Sequence, residues 1–516
     1  MVERMERTMP TTAVRDAASS RRFQPGQAVV GRVERVEETE TGERAALVRA
    51  GGQLVRARLE APLAVGRLYL FEIHERQGTM YWKAIPLSEP ALAPSGEEAV
   101  RRWQKAWKLP DAALPVLRQA LKAGAAATKE EIAALTEAVK ETGQPDAAED
   151  VLAHLFRRRL PFSSAVFRAL WAAKTGVPLA EGLGKLKAAM AALSAHPAAL
   201  ELIRAMEKFL SPPLSAYETA VRLLLLREEE AETARALLAR LGLAPLPEDR
   251  RLALREAVQC RRFADIIRQL GLTDEEAFLE RWTALDAAYQ SGALPAAEAK
   301  LWAAARATRD PALSLFCWLR RAAVRLGLED EAALVRVGTI EDLPSAPSLK
   351  RLLFRFLHES GGSEGAKRAA EAILDQLDGM AIAAGGDGPI EHVWISFPLP
   401  LGGRSSDFAV CWQGRRKQGG PLDADYNRIV CCLTLEELGE VIVDMRVQRR
   451  IVHISIFHDD PRLAVAAARM APLVKERFQA HGYALSGIDV KTARSAPPPP
   501  SVFLFADSCS EVDCQA

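Results

Sequence analysis

The residues of this chain that could do chemistry are few. His458-Asp459-Asp460, with His453 five residues earlier, place imidazole and carboxylate donors close enough in sequence to be tried as metal ligands. A polar strand end followed by a helix cap explains the same residues more simply, so no metal site is expected. Gly182-Leu183-Gly184-Lys185 has the composition of a phosphate-cradling loop. Its first glycine is misplaced, however, and Leu186 stands where the motif needs a Ser or Thr hydroxyl. No GxSxG, HExxH or Ser/His/Asp grouping is expected. Cys431 and Cys432 lie in an apolar run and read as core side chains, because a reactive thiol needs a polar, electropositive setting. Catalytic, cofactor and metal residues are therefore all expected to be absent, and the chain reads as no enzyme.

Three basic clusters remain: Arg157-Arg158-Arg159, Arg320-Arg321 and Arg415-Arg416-Lys417. The first two read as solvated helix faces. Arg415, Arg416 and Lys417 fall in a polar, Gly-rich stretch from Gln413 to Leu422, read as a basic loop suited to an acidic partner. Near the N-terminus, Tyr69, Phe71, Tyr81 and Trp82 stand beside Arg56, Arg58 and Lys83. That mixture fits either a small core or a stacking surface for single-stranded nucleic acid.

The elements that must position these residues come from a chain of 516 residues, 49% hydrophobic and 26% charged, long enough for about three domains. Its 68 basic and 67 acidic side chains nearly cancel, so no global charge draws it to nucleic acid or an anionic membrane. The seven cysteines include no CxxC pair and read as reduced thiols. No apolar stretch is long enough for a membrane span or a signal peptide.

The expected fold is multidomain α+β. Residues 1–22 read as a disordered arm. Residues 23–86 hold five short alternating runs, such as Leu68 to Ile73, and read as a small β-barrel of SH3-like or OB-like kind. After a Pro-rich linker from Leu87 to Gly96, residues 97–384 read as an all-α array, irregular rather than a regular solenoid. Thr128…Glu131, Ser215…Glu218 and Thr273…Glu276 have the form of capping boxes. Leu-Gly-Leu at 241–243, 270–272 and 326–328 marks helix stops at Gly242, Gly271 and Gly327. Residues 387–490 return to strands, as a two-layer α+β domain. The stretch 493–516, with four consecutive prolines, reads as a disordered tail.

Within that last domain, Ile429 to Leu433 reads as a buried strand and Thr434 to Gly439 as one turn with a capping box at Thr434 and Glu437. Val441 to Val447 alternates cleanly as a strand. A tight turn at Gln448-Arg449-Arg450 leads to a strand from Ile451 to Phe457. Asp459-Asp460-Pro461 starts a helix whose apolar positions are Leu463, Ala467, Met470, Leu473-Val474 and Phe478. Gly482 ends it, and Tyr483 to Val490 form a last strand. This order, with Leu433, Glu436, Leu438, Gly439, Val441, Val443, Arg462-Leu463, Leu473, Gly482 and Leu485, resembles the C-terminal domain of flagellar hook-length control proteins. Leu435 stands where that family usually has proline.

The resemblance implies a cytoplasmic interaction protein of the bacterial flagellum, or one exported through the flagellar channel, acting on the substrate-specificity switch of type III export. Its partner would be the cytoplasmic domain of the export-gate switch protein. The residues expected to meet it are Leu435, Glu436, Glu437, Leu438 and Gly439, with Arg415, Arg416 and Lys417. The family's N-terminal halves are extended; here a barrel and a helical region take their place. The alternative expectation, from a different class, is single-stranded nucleic-acid binding by the barrel.

Overall fold

The computed structural model describes residues 23–38, 44–51, 53–58, 63–76, 79–87, 96–191, 197–210, 215–226, 231–260, 262–306, 312–328, 330–337, 347–359, 362–384, 390–401, 404–416, 422–435 and 437–497. The expected arm at 1–22 and the tail from 498 onwards lie outside this range, as does most of the Pro-rich linker.

Five strands open the fold: β1 (Gln27–Glu38), β2 (Arg44–Ala50), β3 (Gln53–Arg58), β4 (Leu68–Arg76) and β5 (Thr79–Pro86). They pair antiparallel in the order β3-β2-β1-β4-β5. β3 and β5 are the two ends of that hydrogen-bonded path, so the expected barrel is not closed. Alternation tells which face a residue takes, not which strands pair, and closure is therefore invisible in sequence. One face buries Val29, Val33, Val48, Phe71, Ile73 and Trp82 as its own core. The alternate residues Ala28, Val30 and Leu70 turn to the helices. Two more ties fix the sheet to them. The two-residue strand β6 (Ala127–Thr128) pairs with the start of β1, and Trp107 Nε1 donates to Glu72 at 3.0 Å.

The first helices are α1 (Gly96–Trp107), α2 (Leu114–Ala123), α3 (Lys129–Thr142), α4 (Pro145–Arg157), α5 (Ser164–Thr175), α6 (Leu179–Met190) and α7 (Pro197–Leu210). Next come α8 (Ala216–Leu224), α9 (Ala231–Leu241), α10 (Glu248–Gln259), α11 (Phe263–Leu270), α12 (Glu275–Gln290) and α13 (Ala296–Arg306). The last are α14 (Ala312–Leu326), α15 (Asp330–Val337), α16 (Leu349–His358) and α17 (Glu364–Ala383). Their lengths run from 8 to 20 residues. They share two cores. Helices α1–α7, α16 and α17 and the end of α14 join the principal core, which continues into both sheets. Helices α8–α13 and the start of α14 enclose a second one around Leu237, Leu254, Phe278 and Trp302.

Helix ends follow local chemistry in part. Thr128 makes a full capping box with Glu131, and Gly242, Gly271 and Gly327 take φ of 74°, 61° and 85°. The other two expected boxes are corrected. Ser215 is itself helical and caps nothing; Glu218 is buried and pairs with Arg222 at 3.7 Å. At the third site the cap is Asp274, which accepts from Ala277 N at 3.0 Å. Glu276 is drawn away to Arg321 and Arg325.

The C-terminal sheet contains β7 (Ile390–Leu401), β8 (Arg404–Arg416), β9 (Leu422–Leu435), β10 (Gly439–Gln448), β11 (Ile451–Phe457) and β12 (Ala484–Lys491). Its order is β12-β11-β10-β9-β8-β7. β7 to β11 are successive antiparallel neighbours; β12 is parallel to β11 and is reached through α18 (Pro461–Ala480). The multidomain α+β class holds, with one difference: the principal core runs from Ala28 through the helices to Phe457. The start of the expected tail is folded, since Ala493–Ser495 forms a 3-10 turn whose Ala493 N donates to Asp459 at 3.0 Å. Among the described residues no helix is long and apolar enough to cross a membrane.

Candidate functional site

The turn between β9 and β10 is the centre of the expected partner site. Leu435 pairs with Gly439, so the reversal takes only three residues and Thr434 is still in the strand. The expected capping box at Thr434 and Glu437 is thereby replaced by a hairpin. Gly439 takes φ 71°, which a Cβ would oppose, and it turns the chain into β10. Glu437 is exposed, and Leu435 and Leu438 are half-buried; Glu436 lies outside the described residues. The Leu438 carbonyl accepts from His458 Nε2 at 2.7 Å. His458 Nδ1 in turn accepts from Asp460 N at 2.9 Å, which assigns a neutral imidazole. One histidine thus pins the hairpin tip to the N-terminus of α18.

Asp460 caps that helix through Arg462 N at 2.8 Å. Hydrogen bonds from the Arg462 guanidinium hold its carboxyl well below the usual range, at about 2. Asp459 holds the Ala493 amide, and His453 pairs with Asp489 at 3.0 Å on the far side of β11. The side chains of the four residues tried as metal ligands therefore each have other hydrogen-bond partners, and the described residues contain no cluster fit to hold a metal ion.

Arg415 and Arg416 are not in a loop. β8 runs to Arg416, with Arg415 opposite Ile390 and Arg416 opposite Leu422, so the connection is shorter than the polar composition implied. Lys417 lies outside the described residues. The basic end and the Leu435–Gly439 tip sit at opposite ends of the 14-residue strand β9, about 40 Å apart at the usual rise per residue. They do not form one site.

In the other arginine clusters Arg157, Arg159 and Arg320 are exposed as expected, while Arg158 and Arg321 are half-buried, and several of the five also tie distant segments together. Arg158 donates to the carbonyls of Ile382, Ala383 and Ala384 at 3.2, 2.8 and 3.0 Å, closing the C-terminus of α17. Arg159 donates to Gly51 O at 2.8 Å, joining the helices to the first sheet. Arg320 and Arg321 meet Glu275, and Arg321 also meets Glu276. Sequence reasoning saw only runs of like charge, because the acceptors lie far along the chain. Gly182-Leu183-Gly184-Lys185 lies inside α6, so it cannot cradle a phosphate. Gly361-Gly362-Ser363-Glu364-Gly365 has a GxSxG form, which corrects the expectation that none is present. Ser363 is only the cap of α17, accepting from Ala366 N at 3.2 Å. Burial raises the Cys431 and Cys432 thiols to about 11 and about 12, which keeps both protonated at neutral pH. In the first sheet Tyr69, Phe71 and Trp82 are buried, with Phe71 and Trp82 rings 5.5 Å apart, so these three belong to a core; the side chains of Tyr81, Arg56 and Arg58 lie outside the described residues.

His392 on β7 is the clearest pH-sensitive group. Burial, with Arg158 and Arg157 close by, lowers it from 6.5 to about 4. The folded chain therefore resists protonation that the unfolded chain accepts. Stability is complete above about 6.5 and falls as pH drops towards 4, by about 3 kcal/mol across the window. Urea midpoints at pH 7 and pH 4.5 check this: His392→Gln should lose distinctly less stability on acidification than the natural protein.

No family model matches this chain, and no solved structure matches it. It is similar to the uncharacterized protein YlqG of Bacillus subtilis (strain 168), with 26% identity over 177 residues. That stretch is 34% of this chain and 31% of YlqG, so the match spans about a third of the relative's length.

Proposed function

We propose that this protein is a non-enzymatic interaction factor that binds the cytoplasmic domain of a flagellar export-gate switch protein and acts on the substrate switch of type III export. The observation that supports this best is the unbroken run from Leu433 to Leu485. It folds as strand, three-residue turn, strand, hairpin, strand, helix, Gly482 and strand, in the order that gave rise to the resemblance. The hairpin tip at Glu437, Leu438 and Gly439 is held by His458 through the Leu438 carbonyl, so it is a preorganised surface.

The upstream part favours action at the gate over threading through the channel. A core that extends from β1 to β11 would have to be unfolded before the chain could pass. No enzymatic role is proposed, because each nucleophile or acid considered is consumed in a cap, a pair or a core. Pull-down of the purified gate domain by the full chain tests the reading. Retention should be lost on deleting residues 387–490; retention that survives the deletion would place the contact elsewhere and sink it.

A further inference from the structure

The C-terminal sheet has one face that the fold leaves half-covered. Along β8 and β9, Cys411 and Val430 face the helical layer with 0% exposure. Their neighbours Val410, Ile429 and Cys431, together with Val443 and Met445 on β10, point the other way and are only half-buried, and Trp412 is 39% exposed. These side chains are all apolar. Helix α18 lies on this second face, where Leu463, Ala467, Val474 and Phe478 pack towards β12 and none of its residues is fully buried. Six strands span about 24 Å, whereas one helix is about 10 Å wide and covers about two of them. An apolar trough over β8–β10 is left beside α18.

The wall of this trough is charged. Arg462, Ala466, Arg469, Met470, Leu473 and Arg477 follow one another at helical spacing along α18. A right-handed β11–α18–β12 crossover turns that stripe towards β10, along the trough. Met470 and Leu473 are 50% and 39% exposed there. The helix carries four basic residues against the single acidic Glu476. Two copies seated with α18 side by side would set like charges together, so a second copy of this chain fits poorly.

We infer that the trough is a docking site for an acidic amphipathic helix of a partner protein, which completes the second layer beside α18. Its apolar stripe would rest on Trp412, Ile429, Val443 and Met445, with its carboxylates against the arginine stripe. Apart from Arg462, which stands near Glu437 of the hairpin tip, this surface is separate from that tip and does not depend on the export reading.

The test uses the full chain and a fluorescein-labelled 20-residue peptide with leucine at helical spacing and glutamate elsewhere, read by fluorescence anisotropy. A counterpart with lysine in place of glutamate is the control. The acidic peptide should bind saturably and at least tenfold more tightly than the basic one. Arg469→Glu and Met470→Glu, both at exposed positions, should each weaken it at least tenfold without moving the melting temperature. Absence of binding, equal binding of both peptides, or indifference to both substitutions would overturn the inference. So would a dimer that Met470→Glu dissociates in sedimentation, which would make the trough a self-interface. A tenfold gain in affinity on truncation after Pro497 would also overturn it, by making residues 498–516 the occupant.

Discussion

Replacing Asp444 with alanine is expected to destabilise the C-terminal sheet by about 3 kcal/mol or more. Asp444 is 3% exposed, in the middle of β10. Arg428, on the neighbouring strand β9, donates to it from Nε and Nη2, both at 2.9 Å, and Arg446 adds bonds at 3.3 and 3.2 Å. The alanine variant removes the acceptor and leaves the Arg428 guanidinium facing a lost charge. The loss is mainly the two bonds taken from this half-buried cation rather than the intrinsic worth of the pair. Arg428→Met combined with Asp444→Ala should accordingly recover a large part of the stability. Denaturant midpoints for the two single variants and the double variant measure the coupling. A double variant as unstable as the sum of the singles would refute the pairing argument.

Gly379→Ala is expected to cost about 3 kcal/mol, near the upper end of overpacking effects. Gly379 lies in α17 where that helix crosses α5. A Cβ there would stand 2.0 Å from Ala169 O and 2.6 Å from the Ala173 side chain. The nearer obstacle is backbone, so the two helices must part. Both helices also contribute to the principal core through Leu170 and Leu377, and separation there opens the layer beneath the C-terminal sheet. The fall in urea midpoint checks it, with Gly365→Ala as control, because a Cβ at Gly365 meets nothing. Equal midpoints for the two variants would mean that α5 and α17 do not approach this closely.

These two positions show where sequence legibility stops. The order of elements was readable because apolar periodicity, the Leu-Gly-Leu stops and the Thr128 cap are local. Strands at 429–433, 441–447 and 451–457 and the helix after Asp460 all appear where alternation and capping placed them. What was not readable depends on partners distant in sequence. Asp444 looked like one of the polar residues alternating along a strand until Arg428 came beside it. Gly379 carried no signal because its meaning is Ala169. The bonds of Arg158 and Arg159 were not readable because their acceptors lie at Ile382–Ala384 and Gly51.

The same limit applies to the candidate site. Leu435, Leu438 and Gly439 were singled out by a motif, and they form the turn of a β-hairpin. Their supposed companions Arg415 and Arg416 were assigned to a loop on composition alone, and a strand ending at Arg416 moves them to the far end of β9. His458, which fixes the tip, was weighed as a metal ligand and set aside as a polar strand end. Its signal was its place directly before the Asp-Asp-Pro helix start, where a side chain can reach both the cap and the preceding turn.

The central claim is that this tip meets the cytoplasmic domain of an export-gate switch protein. Isothermal titration of that domain into the full chain, carrying Glu437→Lys and Leu438→Ser together, tests it most directly. The account predicts a loss of affinity of at least tenfold relative to the unsubstituted chain, with the melting temperature unchanged. Equal affinity for the substituted and unsubstituted chains would contradict it.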